Sequence, residues 1–337
     1  MSATPQSVPP NPERIFNAIN AFQLTEAMKA ALDLGIFTSI AEGATDSASI
    51  AKRVNASERG VRILCDYLTV KGFLNKKDGR YSLDQESALF LDGNSPAYLG
   101  SVANFLASDH HRAAHRNIAD AVRQGGCAVH DPFDPDAPIW VTFARNMMSM
   151  MRMASENLAI ALTKEAPAKK VLDIAAGHGL FGIAVARHNP GAQIYAVDWP
   201  KVLEVATENA QQVGVADRHH LIPGSAFDVS YGDGYDLALI TNFLHHFDRD
   251  TCITFLRKVH ASLAPGGRAA ILEFVPNPDR VTPPTPAAFS LIMLASTPSG
   301  AAYTFAELAS MAQAAGFSRV IPSDAPVMPE QLVLAYK

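Results

Sequence analysis

The chain has 337 residues, enough for two domains, with 48% apolar residues and a formal net charge of −5 spread without long blocks. This is the composition of an ordinary soluble globular protein, and it gives no bulk attraction to nucleic acid or anionic membrane. The three cysteines, Cys65, Cys127 and Cys252, lack metal or CxxC spacing and fit a reducing compartment, so a cytoplasmic location is expected.

Residues 1–12 are rich in proline and polar residues and read as neither a signal nor a transit peptide, and no apolar run approaches a transmembrane length. Ile15 to Ile40 carries apolar residues at helical spacing, with Gly35 as the expected break between two helices. Helices are expected over Ser47 to Val54 and Ser57 to Lys71, the second capped by Ser57. Asp78-Gly79, between Phe73-Leu74 and Tyr81-Leu83, signals a hairpin. Helix, helix, hairpin is a winged helix, whose bare reading is DNA binding. Arg59, Arg62 and Lys71 are interleaved with Glu58 and Asp66, a poor phosphate-facing surface. A module that packs on a partner subunit is the better expectation.

Residues 97–162 read as further helices. His111 and His115 stand at i, i+4 beside His110, a spacing that could hold a metal, but no cysteine or HExxH pattern supports one, and no metal is expected. The methionine-rich stretch Phe143 to Met153 is either core or a soft wall for a flat ligand. Thr163 to Lys170 is the expected linker, which divides the chain into residues 1–162 and 163–337. Beyond it seven strands are expected: Lys170–Ile174, Gln193–Val197, His219–Ile222, Leu237–Thr241, Arg268–Phe274, Arg319–Pro322 and Gln331–Ala335. The early ones alternate with helices as a parallel, doubly covered sheet requires, and the last two should form an antiparallel edge. The fold class is α/β.

The run Val171-Leu-Asp-Ile-Ala-Ala-Gly-His-Gly179 reads as a buried strand that breaks into a tight glycine turn ahead of a helix. Gly177-His-Gly179-Leu-Phe-Gly182 fits the dinucleotide fingerprint, with Asp198 near the distance of a ribose contact. Asp173 argues against a dinucleotide. At the mouth of the turn a carboxylate would repel a pyrophosphate docked on the helix N-terminus. It suits S-adenosylmethionine, which carries an ammonium and a sulfonium and no phosphate. Asp198 could accept hydrogen bonds from both ribose hydroxyls. His245 follows the apolar strand Leu237–Thr241, at the carboxyl end of the sheet where ligands bind.

The motif order is a winged-helix-like N-terminal part, Val171–Gly179, Val197-Asp-Trp-Pro200, Asn242-Phe-Leu-His-His-Phe247, Leu263-Ala-Pro-Gly-Gly267 and Ala314-Ala-Gly-Phe317. It resembles the class I S-adenosylmethionine-dependent O-methyltransferases that include plant caffeate and acetylserotonin enzymes and bacterial tailoring relatives. The spacings agree with it: 25 residues from Asp173 to Asp198 and 28 from His245 to Glu273. The resemblance covers nearly the whole chain. It implies a Rossmann-like seven-stranded catalytic domain and a homodimer held by the N-terminal domain. It also implies a small-molecule acceptor, and no nucleic-acid or membrane partner.

It further implies His245 as general base and Glu273 as the carboxylate that orients it. The residues expected at S-adenosyl-L-methionine, and its product S-adenosyl-L-homocysteine, are Asp173, Ala175, Gly177, Gly179, Asp198, Trp199, Ser225, Ala226, Phe227 and Asn242. Phe143, Met147, His246 and Met293 are expected at the acceptor. The chain departs from the plant pattern in three places. Ala302 stands where those members have a second glutamate, His246 where they have aspartate, and Gly224-Ser-Ala-Phe227 where they have an adenine-contacting Asp-Met pair. The expected reaction is methyl transfer to the hydroxyl of a small aromatic or polyketide-like acceptor, in the setting of bacterial secondary metabolism. Carbon methylation of an enol or ring carbon is the alternative within enzymes. A winged-helix, nucleotide-sensing DNA-binding regulator is the alternative of another class, and an oxidoreductase comes third.

Overall fold

The structure, a computed structural model, describes residues 10–127, 134 and 137–337. Part of the helical region expected over 97–162 therefore lies outside the described residues. The chain forms two compact units, within Met1–Ala107 and Ser108–Lys337. The division expected at 162/163 thus differs from the division by contacts. The long helix Met148–Glu165 packs on the helix Leu180–His188 of the nucleotide-binding region, which places it in the second unit.

In the first unit the apolar stretch from Ile15 folds as Glu13–Ile19, Ala21–Asp33 and Ile36–Ala41. The expected break at Gly35 is present, with φ 70°. A second break falls at Asn20, whose Nδ2 donates to the Phe16 carbonyl at 2.9 Å. Asparagine competes for backbone groups in this way, so it ends a helix more readily than it continues one. Ser57 caps the helix Glu58–Val70 by accepting from the Gly60 N–H at 3.1 Å. β1 (Asn75–Lys77) and β2 (Arg80–Ser82) then pair as a hairpin. Asp78 and Gly79 both have positive φ, 49° and 75°, as a two-residue primed turn needs. Ile36, Phe37, Ile50, Cys65, Leu68, Leu74 and Tyr81 form its core. Asp66 draws in the charges beside it, bonding Arg62 at 3.2 Å, Lys76 at 2.5 Å and the Tyr81 hydroxyl at 2.7 Å.

The second unit is built on β3 (Lys170–Ile174), β4 (Gln193–Asp198), β5 (His219–Pro223), β6 (Tyr235–Thr241), β7 (Leu263–Glu273), β8 (Arg319–Pro322) and β9 (Gln331–Tyr336). All seven expected strands form, in the order β5-β4-β3-β6-β7-β9-β8. The first five are parallel to their neighbours, and β9 is antiparallel to both β7 and β8. The last two strands are therefore not a simple edge hairpin, since β9 inserts between β7 and β8. β7 also starts earlier than expected. It runs through the Leu263–Gly267 motif, where the pairing with β6 carries an irregularity between Tyr235 and Leu237. β3 and β6 are buried on both faces, the signature of a covered parallel sheet. The order reverses between β3 and β6, so the loops leaving β3, β4, β6 and β7 gather on one edge.

Candidate active site

Two adjacent loops on that edge hold non-glycine residues in the left-handed region: Ala175 after β3, with φ 53°, and Asn242 after β6, with φ 54°. Each costs on the order of 1 kcal/mol and persists because its surroundings fix it.

After β3 the chain turns through Gly177 and Gly179, with φ 57° and 75°, into the helix Leu180–His188. A Cβ on Gly179 would lie 2.9 Å from that of Ala206, so the close approach needs glycine. The Gly177 N–H donates to Asp198 Oδ2 at 2.8 Å, and the Trp199 N–H donates to Oδ1 at 2.7 Å. Asp198 thus ties the glycine turn to the end of β4, and each oxygen keeps a lone pair for a further donor. Burial pushes the Asp198 carboxyl up to about 6, against the pull of those two N–H groups.

Asp173 was expected at the mouth of the turn and is instead fully buried. Its Oδ2 accepts from the Gly182 N–H at 3.0 Å, and its Oδ1 has no partner among the described residues. Desolvation raises it to about 7, the Gly182 N–H lowers it and the Asp198 charge raises it. The third glycine of the fingerprint has a packing role here. A Cβ on Gly182 would stand 2.5 Å from Asp173 Oδ2 and 2.7 Å from Ile194 Cγ2.

After β6, Asn242 leads into a tight turn, Leu244–His246. Glu273, at the end of β7, closes that turn. Its Oε1 accepts from the backbone N–H groups of Phe243, Leu244 and His245 at 3.0, 2.7 and 3.3 Å. Its Oε2 lies 2.6 Å from His245 Nδ1. A carboxylate only accepts, so Nδ1 carries the hydrogen and Nε2 is left as the proton acceptor. Both side chains are buried, 4% and 2% exposed. The His245 ring meets Phe289 edge-on at 4.8 Å, and Phe289 stacks on Phe274 at 4.0 Å. His246 lies 4.4 Å from His245, and Trp140 meets it edge-on at 6.2 Å. Desolvation, then the neighbouring His245, hold His246 well below its usual range, so its ring is neutral.

The other expected residues divide. Phe143 stacks on His178 at 6.3 Å, and its Cε1 lies 3.7 Å from where a Gly177 Cβ would be. Phe143, expected at the acceptor, therefore lies beside the glycine turn. Met147 and Met293 are buried. Trp199 packs with Trp140, Val202 and Val205. Ser225 Oγ accepts from the Phe227 N–H at 3.1 Å, and the Ala226 carbonyl accepts from Lys258 Nζ at 2.9 Å. Phe227 joins a ring cluster with Phe247 at 4.9 Å and Phe255 at 5.7 Å. On the helix Asp109–Arg116, His115 Nδ1 bonds the His111 carbonyl at 2.8 Å. Among the described residues no three His, Cys, Asp or Glu side chains gather around a possible metal position.

Trp140, Phe274, Phe289 and Glu330 were not among the expected site residues. Phe289 could have been found, because it lies one helical turn before Met293 on the helix Pro284–Ser296.

The arrangement fits S-adenosylmethionine. The buried glycine cradle admits close approach, the Asp198 lone pairs suit ribose hydroxyls, and the Asp198 carboxyl beside the turn disfavours a pyrophosphate. Residues 116–318 match the family model of the O-methyltransferase domain, and residues 16–93 match that of the O-methyltransferase dimerisation domain. A crystal structure assigned as an O-methyltransferase from Nostoc punctiforme is 49% identical, covers 97% of this chain and 100% of its own, and superposes with a TM-score of 0.94. The 3-hydroxy-5-methyl-1-naphthoate 3-O-methyltransferase of Streptomyces sahachiroi is 27% identical over 88% of this chain and 86% of its own. Human N-acetylserotonin methyltransferase, solved with S-adenosylmethionine, shares the fold with a TM-score of 0.86 at 22% identity, over 99% of each chain. The regulator and oxidoreductase readings find no support in these matches. With a glycine turn closed by Asp198, a histidine held by Glu273 and a family model spanning most of the chain, this protein belongs to the S-adenosylmethionine-dependent O-methyltransferase family.

Proposed function

We propose that this methyltransferase acts on a hydroxyl of a small, flat aromatic or polyketide-like acceptor, with His245 as general base. The 2.6 Å contact between His245 Nδ1 and Glu273 Oε2 carries the reading. When bound, S-adenosylmethionine supplies an electrophilic methyl group. His245 Nε2 takes the hydroxyl proton as the acceptor oxygen attacks. A phenol has a pKa of about 10 and an unperturbed histidine about 6.5, so prior ionisation is costly and concerted removal is the economical route. Glu273 fixes the tautomer and stabilises the imidazolium that forms. Phe274, Phe289, Trp140, Met147 and Met293 supply apolar surface for a flat ring system. The naphthoate and acetylserotonin named for the relatives are ring systems of that kind.

The second part of the proposal is a cytoplasmic homodimer formed through the N-terminal unit. Ile15, Phe16, Ile19 and Phe22 stand exposed on its first two helices, within or beside the match to the dimerisation domain. No helix among the described residues is long and apolar enough to cross a membrane. The test is calorimetry with S-adenosylhomocysteine, followed by a screen of phenolic acceptors with labelled methyl donor and NMR of the product. Micromolar binding and an O-methyl product are expected. A C-methyl product, or turnover surviving His245→Ala within about threefold, would overturn the mechanism.

A further inference from the structure

The turn that bears His245 is held from two sides. Its N–H groups, from Phe243 to His245, converge on Glu273 Oε1. Its carbonyls meet other partners. Cys252 Sγ donates to the Leu244 carbonyl at 3.3 Å. Gly300 lies so close to the His245 carbonyl that a Cβ there would collide with its oxygen. The Tyr303 hydroxyl donates to the Phe247 carbonyl at 2.6 Å. Gly300 and Tyr303 belong to one segment, residues 297–303, to which the proposed mechanism gives no part.

That segment is itself anchored. It leaves the helix Pro284–Ser296 at Thr297, a buried residue that bonds the Met293 carbonyl through its N–H at 2.8 Å and its Oγ1 at 2.7 Å. Thr297 Oγ1 accepts from the Gly300 N–H at 2.8 Å, and the Thr297 carbonyl accepts from the Cys127 N–H at 2.9 Å. On one side of Tyr303, the Ala302 N–H donates to Ser290 Oγ at 3.2 Å. On the other, Thr304 caps the helix Phe305–Ala314 in a reciprocal box with Glu307. The backbone of Tyr303 is thus fixed on both sides before its ring reaches the turn.

We propose that Tyr303 is a positioning residue whose hydroxyl clamps the far end of the base turn and so holds the aim of His245. Glu273 fixes where the turn begins, and Tyr303 fixes where it ends, at Phe247. His245 lies between the two. With the Phe247 end released, the turn and the imidazole it carries can rock about Glu273, and Nε2 loses its place. Small misplacements of a reacting group cost up to about 10²-fold. The hydroxyl is kept as a donor. Desolvation first, then the neighbouring Cys252, Asp248, Glu307 and Glu273, push it above the ordinary tyrosine range.

The inference rests on His245 being the base, and one of its two readouts does not use turnover. Tyr303→Phe keeps the ring and removes the donor. With the acceptor found in the screen above, kcat is expected to fall about tenfold while KM for S-adenosylmethionine stays within about twofold. An unchanged kcat would overturn the proposal. So would a KM raised as much as kcat falls, because that would be a general loosening of the site. NMR of the protein labelled with ¹⁵N-histidine reads the ring itself. The signal of the Nδ1–H held by Glu273 is assigned by its absence from His245→Ala. It is expected to broaden or shift in Tyr303→Phe, and an identical signal there would overturn the proposal. Should Tyr303→Phe fail to fold, 4-aminophenylalanine at position 303 restores an N–H donor and decides. A kcat within about threefold of the natural protein is expected, and a tenfold loss with S-adenosylhomocysteine binding intact would overturn the proposal. If His245→Ala keeps its turnover, the base assignment fails, while the NMR comparison still reports whether Tyr303 holds the ring.

Discussion

Glu273 binds His245 twice, through the ring at Nδ1 and through the backbone N–H, so one carboxylate fixes both the tautomer of the imidazole and the turn that carries it. Replacing either partner should damage the chemistry and spare the cofactor. His245→Ala is expected to lower kcat by about 10² to 10⁴. Glu273→Gln should be nearly as harmful. Its amide N–H would donate to Nδ1, moving the ring hydrogen to Nε2 and blocking the base. Calorimetry with S-adenosylhomocysteine should find both variants within about threefold of the natural Kd. Loss of binding alongside loss of rate would show that the turn had collapsed.

Asp198 should behave in the opposite way. Its two oxygens hold the Gly177 and Trp199 N–H groups, and Asp198→Ala frees the glycine turn as well as removing the proposed ribose acceptor. Hydrogen bonds to charged groups contribute about 1.5–3 kcal/mol each, so the Kd for S-adenosylhomocysteine should rise at least tenfold. At saturating cofactor, kcat should largely recover. A Kd unchanged in the variant would remove Asp198 from the cofactor site.

Asp173 gives a pH test of stability. Its folded value, about 7, lies above the ordinary carboxyl value of 3.8. The unfolded chain therefore loses this proton near pH 4 while the folded chain keeps it. Stability from this group is fully present below about pH 4, falls as pH rises toward about 7 and stays low above that. Asp173→Asn is neutral throughout and can still accept from the Gly182 N–H. Its stability relative to the natural protein should grow between about pH 5 and about pH 8, by up to a few kcal/mol. Thermal melts at the two values check this, and a constant difference would mean that Asp173 is ionised in the folded state at both. Asp198, raised in the same direction, keeps some slope below about pH 6 in either protein.

Gly300 packs against the turn that bears the base. Its N–H donates to Thr297 Oγ1 at 2.8 Å, and a Cβ there would press into the His245 carbonyl oxygen and lie 2.5 Å from Thr297 Oγ1. Gly300→Ala must displace backbone, at about 1–3 kcal/mol of stability. Steady-state kinetics should show kcat falling more than KM for S-adenosylmethionine rises. A variant with natural kcat would mean that the segment after Thr297 yields without moving His245.

The catalytic sheet was legible because buried parallel strands advertise themselves as short apolar runs between turn signals, and all seven formed where those runs lie. The position of β9 was not. A strand's register partner depends on tertiary packing, and Gln331–Tyr336 carries no local sign that it inserts between β7 and β8. The break at Asn20 was missed because the apolar spacing runs through it unbroken. His245 and Glu273 could be paired from their places at strand ends together with the family spacing. The burial of Asp173 could not, because a strand's last acid looks the same in sequence whether it faces solvent or the helix beneath it. Glu330 lay outside every motif and meets Glu273 through the sheet alone.

The antiparallel insertion of β9 also sets an order of assembly. Residues 331–336 are synthesised after every other strand of the sheet, yet they cover the edge of β7 that ends in Glu273. Until they leave the ribosome, β7 presents unpaired backbone groups along an apolar strand, and β8 has no neighbour at all. The glycine turn and the turn that bears His245 are thus both synthesised before the sheet behind them is closed. An unpaired edge of this kind is a template for a chaperone or for the edge of another chain until β9 docks on it.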